Sequence, residues 1–280
     1  MGKILVTGAD GMLGSELVAV LSPVHEVTAA DVGDFDITDP DAVAAAVRSA
    51  APGLVVNCAA YTDVDGAEAN RELAFAVNGR GAGNLAEAAA RAGARVLHLS
   101  TDYVFDGTKS SAYTEDDEPN PLSVYGESKL EGERRVLDAA PEALIVRTAW
   151  LYGHRGRNFV ETILKAASER RGLRVVDDQR GTPTNAADLA LIIKELIAIE
   201  AEGVVNATNT GSCSWCEFAR EILRLAGLTN VTVDAVSSSE FPRPAKRPGL
   251  SVLALDRLSG LLGWVPRAWE ESLAEYIAER

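Results

Sequence analysis

The chain has 280 residues, of which 47% are hydrophobic, and its formal net charge is -14 at pH 7. This length suits one compact domain with a smaller annex, and acidic residues spread along the whole chain disfavour binding to nucleic acid or anionic membranes. Because the apolar runs are too short to span a bilayer and the amino-terminal stretch lacks a signal-peptide pattern, we expect a cytoplasmic protein.

The first half of the sequence alternates short apolar strands with helices. Strands are predicted over residues 3–7, 26–30, 54–57, 95–100 and 143–148. The apolar spacing between them predicts helices near residues 13–21, 41–50, 72–92 and 123–139. Strands separated by helices predict an α/β fold with a Rossmann-like, doubly wound parallel sheet, which binds ligands at the carboxyl ends of its strands.

The alternation loosens after Trp150. Helices are predicted near residues 158–170 and 186–199 and in SWCEFAREILRLAG, and strands in LRVV and over residues 203–209. We therefore expect residues 1–150 to form a dinucleotide-binding domain, to which residues 184–210 return. The remainder, residues 151–280, is expected to form mainly a smaller C-terminal substrate-binding lobe.

The segment TGADGMLG follows the first strand and opens the first helix. Gly8 permits a tight turn, Gly11 lets the backbone approach a pyrophosphate, and Gly14 lets the helix pack close to the strand. Free N–H groups at the helix start, including those of Met12 and Leu13, would hold the phosphates. The alternative is a glycine-rich turn without a ligand, but the strand-turn-helix context favours a dinucleotide site.

Asp31 ends the second strand, where a carboxylate can accept hydrogen bonds from the adenosine ribose hydroxyls. The same charge would repel a 2′-phosphate, and residues 32–34 supply no compensating arginine or lysine. We therefore expect NADH or NADPH as the cofactor, with NADH slightly favoured. The alternative is a solvated aspartate in a loop.

The segment VYGESK sets Tyr125 and Lys129 four residues apart at the start of a predicted helix. Residues at this spacing share one helix face and can point into one cleft. A free tyrosine has a pKa near ~10, too high for easy proton exchange, and the Lys129 ammonium would favour the phenolate. The alternative is a packed aromatic residue beside a solvated charge.

The spacing G-x-x-G-x-x-G together with VYGESK resembles the extended, sugar-nucleotide-modifying branch of the short-chain dehydrogenase/reductase superfamily. The resemblance implies that Tyr125 protonates a substrate carbonyl oxygen as hydride reaches carbon, and that Lys129 binds the nicotinamide ribose. Thr101, in LSTDYVFDG, matches the hydroxyl that bonds the reacting oxygen, with Ser100 as the alternative.

The segment NCAAYTDVDGAE follows the third predicted strand, so Ala59, Ala60 and Tyr61 would lie near the cofactor. Asn78, in VNGRGAGNLAEAAA, matches a recurrent superfamily asparagine near the active-site tyrosine helix, and a cofactor contact is expected for it as well. For the first three, the alternative is an ordinary loop before an acidic helix start. For Asn78, a buried structural amide is an equal alternative.

A narrower resemblance covers nearly the whole chain. The segments VNCAAYTDVDGAE, LSTDYVFDG, NPLSVYGESKLEGE, RTAWLYG, DDQRGTPT and SWCEFA stand in the order seen in dTDP-4-dehydrorhamnose reductases. This resemblance implies reduction of a 4-keto group on a dTDP-sugar, with sugar or nucleotide contacts from Asp102, Trp150, Asn158, Arg180 and Thr182. Core packing is the alternative for the tryptophan, and a solvated charge for the arginine. Leu250 departs from the polar residue usual in the family.

Other functions remain open at this level. One is a related nucleotide-sugar 4-ketoreductase or epimerase, and another is a non-catalytic nucleotide-binding regulatory subunit. Cys213 and Cys216 have C-x-x-C spacing, but no second pair or histidine cluster accompanies them, so no metal site is predicted. The expected partner is the dTDP-sugar substrate, with no nucleic acid and no membrane, and the chain is expected to form a homodimer.

Overall fold

The computed structural model describes residues 2–280. Its strands are β1 (Lys3–Thr7), β2 (Glu26–Ala30), β3 (Leu54–Asn57), β4 (Arg95–Thr101), β5 (Leu144–Thr148), β6 (Leu151–Tyr152), β7 (Gly172–Val176), β8 (Arg180–Gly181), β9 (Thr184–Asn185), β10 (Gly203–Asn206), β11 (Cys213–Ser214) and β12 (Thr232–Val236). Its α-helices are α1 (Met12–Leu21), α2 (Pro40–Ala50), α3 (Val64–Ala69), α4 (Arg71–Ala74), α5 (Ala82–Arg91), α6 (Val124–Ala139), α7 (Phe159–Glu169), α8 (Ala186–Ala198), α9 (Trp215–Leu225), α10 (Asp256–Leu262) and α11 (Trp269–Ala278).

A six-stranded sheet forms the centre of the fold, in the order β10-β5-β4-β3-β1-β2, with all neighbours parallel. The strand order reverses at β1, which pairs with β2 on one side and β3 on the other. A crevice therefore opens at the carboxyl ends of β1 and β3, where doubly wound sheets bind their ligands. The predicted fold class is confirmed.

Helices cover both faces of the sheet. On one face, Leu17 of α1 packs in the same buried cluster as Leu189 and Ile193 of α8. On the other face, Leu85 of α5 and Val136 of α6 belong to a second buried cluster with α2. Each such side chain contributes about 1.5–3 kcal/mol when removed from water, so the two layers fix the sheet on which the crevice is built.

The C-terminal part contributes to both regions of the molecule. β10 adds to the β5 edge of the sheet, and α8 packs on α1. Beyond them, β7 and β12 form a separate parallel pair, and α7, α9 and α11 surround an aromatic core. The largest members of that core are Tyr152, Phe218, Trp269 and Tyr276.

One predicted helix, over residues 72–92, differs in the structure. It is divided into α4, a π-helical segment (Phe75–Gly81) and α5. A Cβ atom on Gly132 of α6 would lie 2.2 Å from the carbonyl oxygen of Asn78, so the π-helical segment and α6 touch backbone to backbone. Periodicity of apolar residues does not reveal such a local widening of the helix, which is frequent near functional sites.

None of the helices within residues 2–280 combines the length and the apolar character that crossing a membrane requires.

Candidate active site

A cleft of about 940 Å³ opens at the carboxyl edge of the sheet. Its walls come from the turn after β1, the ends of β2, β3 and β4, the start of α6 and the segment after β5. The cleft therefore occupies the crevice defined by the strand order, and its volume lies at the upper end of the range that is usual for ligand and cofactor sites.

The glycine-rich turn forms one end of this cleft. Gly8 has a positive φ of 67°, and a Cβ atom there would lie 2.6 Å from the backbone nitrogen of Ala59. Gly11 precedes α1 without a side-chain cap, so the first N–H groups of the helix, at Met12 and Leu13, remain available to a ligand. The turn fits the pyrophosphate of a dinucleotide, which needs close backbone approach and free N–H donors.

Asp31 lies at the rim of the cleft, at the end of β2. Its Oδ2 accepts the backbone N–H of Asp10 at 2.9 Å, and its Oδ1 accepts that of Val32 at 2.7 Å. These bonds hold the carboxylate beside the glycine-rich turn, and each oxygen keeps a further lone pair for a ribose hydroxyl.

The loop after β3 places Ala59, Ala60 and Tyr61 along the cleft wall. Asn78 lies behind that wall: it accepts the N–H of Tyr61 at 2.7 Å, donates to the Tyr61 carbonyl at 3.0 Å, and donates to Ser128 Oγ at 2.9 Å. Since Ser128 belongs to α6, the buried amide ties the loop to the tyrosine helix. The structure thus gives Asn78 a structural position, and no contact with the cleft.

Tyr125 and Lys129 both face the cleft from the first turns of α6. Lys129 is buried, and its Nζ donates to the carbonyl oxygen of Leu99 at 2.5 Å. Burial lowers the pKa of Lys129 to about 8, against the opposing effect of the Glu133 carboxylate. The spacing of four residues therefore brings phenol and amine to one site.

The expected lowering of the Tyr125 pKa by Lys129 is wrong for this structure. Loss of solvation raises the pKa of Tyr125 to about 12, and the nearby Asp102 carboxyl raises it further, while the Thr101 hydroxyl opposes both effects. The Lys129 ammonium is held by the Leu99 carbonyl and does not offset this burial. In this state Tyr125 is a protonated phenol, which is the form that a proton donor requires.

The end of β4 supplies the hydroxyl group of the site. Thr101 Oγ1 donates to Asp102 Oδ1 at 3.0 Å and accepts the N–H of Tyr103 at 3.2 Å. Ser100, the alternative, also lines the cleft, but its hydroxyl donates to Glu133 Oε1 in a very short contact. Of the two hydroxyls, that of Thr101 is the one that acts on Tyr125, whose pKa it lowers.

Behind these groups lies an ion pair that the sequence did not reveal. Glu133 and Arg147, both almost completely buried, form a bidentate pair with distances of 2.9 and 2.7 Å. Glu133 is four residues after Lys129 on α6, and Arg147 belongs to β5. In the segment KLEGE, Glu133 follows Lys129 by four residues, and this spacing indicates a second charge on the same helix face. Its partner, Arg147, could not be identified without the fold.

Trp150 borders the cleft with a positive φ of 45°, which is a costly conformation for a non-glycine residue. Its ring stacks on Trp215, with centroids 3.4 Å apart and an interplanar angle of 6°. A Cβ atom on Gly181 would lie 2.3 Å from the Trp150 ring. Trp215, which also lines the cleft, was not among the predicted site residues, although it stands in the SWCEFA segment.

Three predicted substrate residues lie outside this cleft and have structural partners. Asn158 caps α7 by accepting the N–H of Glu161 at 3.0 Å. Arg180 pairs with Glu217 at 3.1 Å, and Thr182 donates to the carbonyl oxygen of Gly211 at 2.8 Å. Their assignment as sugar or nucleotide contacts stays a prediction.

The two C-terminal cysteines are buried as free thiols, and burial raises the pKa of both Cys213 and Cys216. A high thiol pKa makes thiolate chemistry unfavourable. Within residues 2–280, no group of three or more His, Cys, Asp or Glu side chains is arranged to hold a metal ion.

Leu250 forms a backbone bridge with Arg180 in the same lobe.

Comparison with known proteins places this geometry in context. The family model described as RmlD substrate binding domain matches residues 2–280. A dTDP-4-dehydrorhamnose reductase of Aggregatibacter actinomycetemcomitans is 42% identical over 98% of this chain and 97% of its own length. A dTDP-4-keto-6-deoxy-D-glucose reductase of Streptomyces niveus is 44% identical over 90% of this chain and 88% of its own length. The crystal structure of a Bacillus anthracis dTDP-4-dehydrorhamnose reductase in complex with NADP is 40% identical, with a TM-score of 0.97 over 100% of this chain and 99% of that one.

Proposed function

Because the chain belongs to the RmlD substrate binding domain family, we propose that it is an NAD(P)H-dependent oxidoreductase that reduces the 4-keto group of dTDP-4-dehydro-L-rhamnose to give dTDP-L-rhamnose. Relatives named dTDP-4-dehydrorhamnose reductase share more than two fifths of its residues over almost the full length of both chains. The fold supports a dinucleotide site at the strand-order reversal.

One observation carries the proposal: Thr101, Tyr125 and Lys129 line the same cleft as the uncapped, glycine-rich start of α1. A proton donor, a cation and an orienting hydroxyl therefore face the groups that suit a dinucleotide. Reduction of a ketone requires these parts, namely a donor for the oxygen and a fixed position for the carbon.

In this proposal each group has a separate role. The bound nicotinamide, when present, supplies hydride to the keto carbon. Tyr125 donates its phenolic proton to the keto oxygen, and its high pKa keeps that proton in place until the oxygen becomes basic. Thr101 orients the same oxygen, and Lys129 would bind the cofactor ribose.

The residues around the turn support either nicotinamide cofactor. Asp31 lines the cleft, and we assign its carboxylate to the ribose hydroxyls, which would favour NADH, whereas the Bacillus anthracis relative was crystallised with NADP. We retain the slight preference for NADH as part of the proposal. A ratio of kcat/KM for the two cofactors that favours NADPH by tenfold or more would overturn it.

A turnover assay tests the proposed reaction. When purified protein is mixed with dTDP-4-dehydro-L-rhamnose and reduced cofactor, the absorbance of the reduced cofactor should fall in proportion to the substrate added. Tyr125→Phe keeps the ring but removes the proton, and we expect kcat to fall by about 10²–10⁴-fold. Tyr113→Phe is the matched control, because its hydroxyl donates to Asp106 away from the cleft. Equal rates for the wild type and Tyr125→Phe would refute the assigned donor.

A second candidate is reduction of a different dTDP-4-keto sugar. The Streptomyces niveus relative, named for a 4-keto-6-deoxy-D-glucose, supports this alternative at a similar level of identity. A panel of dTDP- and UDP-linked keto sugars, compared by kcat/KM, distinguishes the two. Oxidised cofactor that remains bound through purification would instead favour an epimerase, and copurification with a synthetase without any reduction would favour a regulatory subunit.

We also retain a cytoplasmic location and a homodimer as predictions. The three free cysteines fit a reducing compartment. Light scattering of the purified protein tests the dimer, and a monomer at assay concentrations would contradict it.

A further inference from the structure

Asp102 is a buried carboxyl group in the wall of the cleft. Only 2% of its surface is exposed, and its Oδ2 has no hydrogen-bond partner of normal geometry, although the Ser251 hydroxyl lies near enough to lower the pKa of the carboxyl. An ionised carboxylate in such a place carries a large desolvation cost, whereas a neutral carboxylic acid does not. The proposed reaction assigns no chemical step to this group.

The geometry links Asp102 to the hydroxyl proton of Thr101. That hydroxyl has one proton and two lone pairs, and it already accepts the N–H of Tyr103. Its proton points to Asp102 Oδ1. An ionised carboxylate can only accept, so it holds the Thr101 proton away from any ligand in the cleft.

We propose that Asp102 is a positioning residue that controls the direction of the Thr101 hydroxyl bond. This inference rests on the proposed reductase function and adds a residue to it. When Asp102 carries a proton, that proton is donated to Thr101 Oγ1, and the Thr101 proton turns to the keto oxygen. When Asp102 is ionised, Thr101 offers the ligand only a lone pair. A ketone oxygen needs donors, so the protonated state of Asp102 is the one that supports reduction.

The surroundings of Asp102 determine where it titrates. Burial raises its pKa to about 7, against the lowering effects of the Ser251 and Thr101 hydroxyls. The phenol of Tyr125 faces the carboxyl from α6, and the phenol of Tyr103 faces it from the turn that follows β4. Burial raises the pKa of both phenols, so both stay protonated near pH 7.

The guanidinium of Arg247 lies beside the Tyr103 phenol. It acts on Tyr103 and is paired with Asp65 at 3.1 Å. Lys129, on the other side, is bonded to the Leu99 carbonyl. Protonation of the Asp102 carboxylate therefore takes up one proton from solvent. Neither of these two cations is bonded to the carboxyl to compensate the change in its charge.

The pH dependence of reduction tests the proposal. In the wild type, kcat/KM should fall by about tenfold between pH 6 and pH 8 as Asp102 loses its proton. Asp102→Asn removes the titration and keeps the shape, and its profile should stay within about twofold over this range. Asp116→Asn is the control, since that carboxylate is exposed and should leave the wild-type profile unchanged.

Two Thr101 variants separate a positioning role from a merely structural one. Thr101→Ser keeps the hydroxyl, so kcat/KM should still fall between pH 6 and pH 8. Thr101→Val removes the hydroxyl, so this fall should disappear. Adding Asp102→Asn to Thr101→Val should then change the pH profile no further. Persistence of the fall in Asp102→Asn would overturn the proposal. So would its persistence in Thr101→Val.

Infrared spectroscopy provides a readout that needs no substrate. A carboxylic acid C=O band that disappears as pH rises through about 7, and that is missing in Asp102→Asn, is the expected result. Absence of this band in the wild type at pH 6 would overturn the inference alone. An inactive wild type that still shows the band would instead overturn the proposed reaction.

Discussion

A Cβ atom placed on Gly14 would lie 2.0 Å from the carbonyl oxygen of Gly8. This contact is backbone to backbone, so no flexible side chain can move away to relieve it. The start of α1 is therefore fixed against the turn after β1, and the free N–H groups of the helix keep a defined distance from the cleft.

Gly14→Ala should consequently impair cofactor binding more than folding. We expect the Kd for the reduced cofactor to rise by tenfold or more, because α1 must shift away from the turn, and the free energy of unfolding to fall by about 1–3 kcal/mol. Titration calorimetry measures the first and urea unfolding the second. Gly260→Ala is the matched control, since an added Cβ there meets no atom within 4 Å. An unchanged Kd in Gly14→Ala would show that the turn does not hold the phosphates.

Lys129 should reduce stability in the absence of ligand. Burial lowers its pKa from 10.5 to about 8, so the unfolded chain binds this proton more tightly than the folded one between those values. Stability from this group therefore rises with pH through that window, and below it the cost of the buried charge is fully present. Lys129→Met should raise the free energy of unfolding at pH 7 by about 1–3 kcal/mol while abolishing reduction. Denaturant curves at pH 7 and pH 10 measure this, and a gain that did not shrink at the higher pH would contradict it.

Breaking the buried pair of Glu133 and Arg147 should lower the free energy of unfolding more than breaking an exposed ion pair on the same helix. Glu133→Gln leaves the guanidinium without its charged partner, and we expect a loss of about 3–5 kcal/mol of unfolding free energy. Glu131→Gln breaks the more exposed pair with Arg135, and should cost less than about 1 kcal/mol. Urea unfolding of the two variants side by side measures the contrast, and equal losses would argue against a rigid support behind Lys129.

The sequence predicted those features of the structure that depend on residues close together in the chain. The alternation of strands and helices and the glycine-rich turn are local patterns, so they predicted the doubly wound sheet that the structure confirms. The spacing of Tyr125 and Lys129 is also local, and the two side chains do reach one cleft.

The remaining features depend on residues far apart in the chain. The pKa of Asp102 reflects burial and the Ser251 hydroxyl, which comes from the other end of the sequence. The Tyr125 pKa is raised mainly by burial, and the Lys129 amine donates to the Leu99 carbonyl, which belongs to a strand 30 residues earlier in the chain. Arg180 was predicted to contact the sugar or nucleotide from its family-like segment, whereas its ion pair with Glu217 of α9, at 3.1 Å, is set by the fold.

The stacked pair of Trp150 and Trp215 leads to the last prediction. Trp150 holds an unfavourable backbone conformation, and Trp215 and the close approach of Gly181 fix its ring. In Trp215→Leu we expect Trp150 to lose this support and the KM for the sugar nucleotide to rise by about tenfold, with a smaller change in kcat. Near-ultraviolet circular dichroism should lose the signal of the coupled indoles in the same variant. Trp264→Leu, at an exposed tryptophan, should change neither quantity. If the dichroism signal disappears while KM stays constant, the pair serves packing of the C-terminal lobe and not substrate binding.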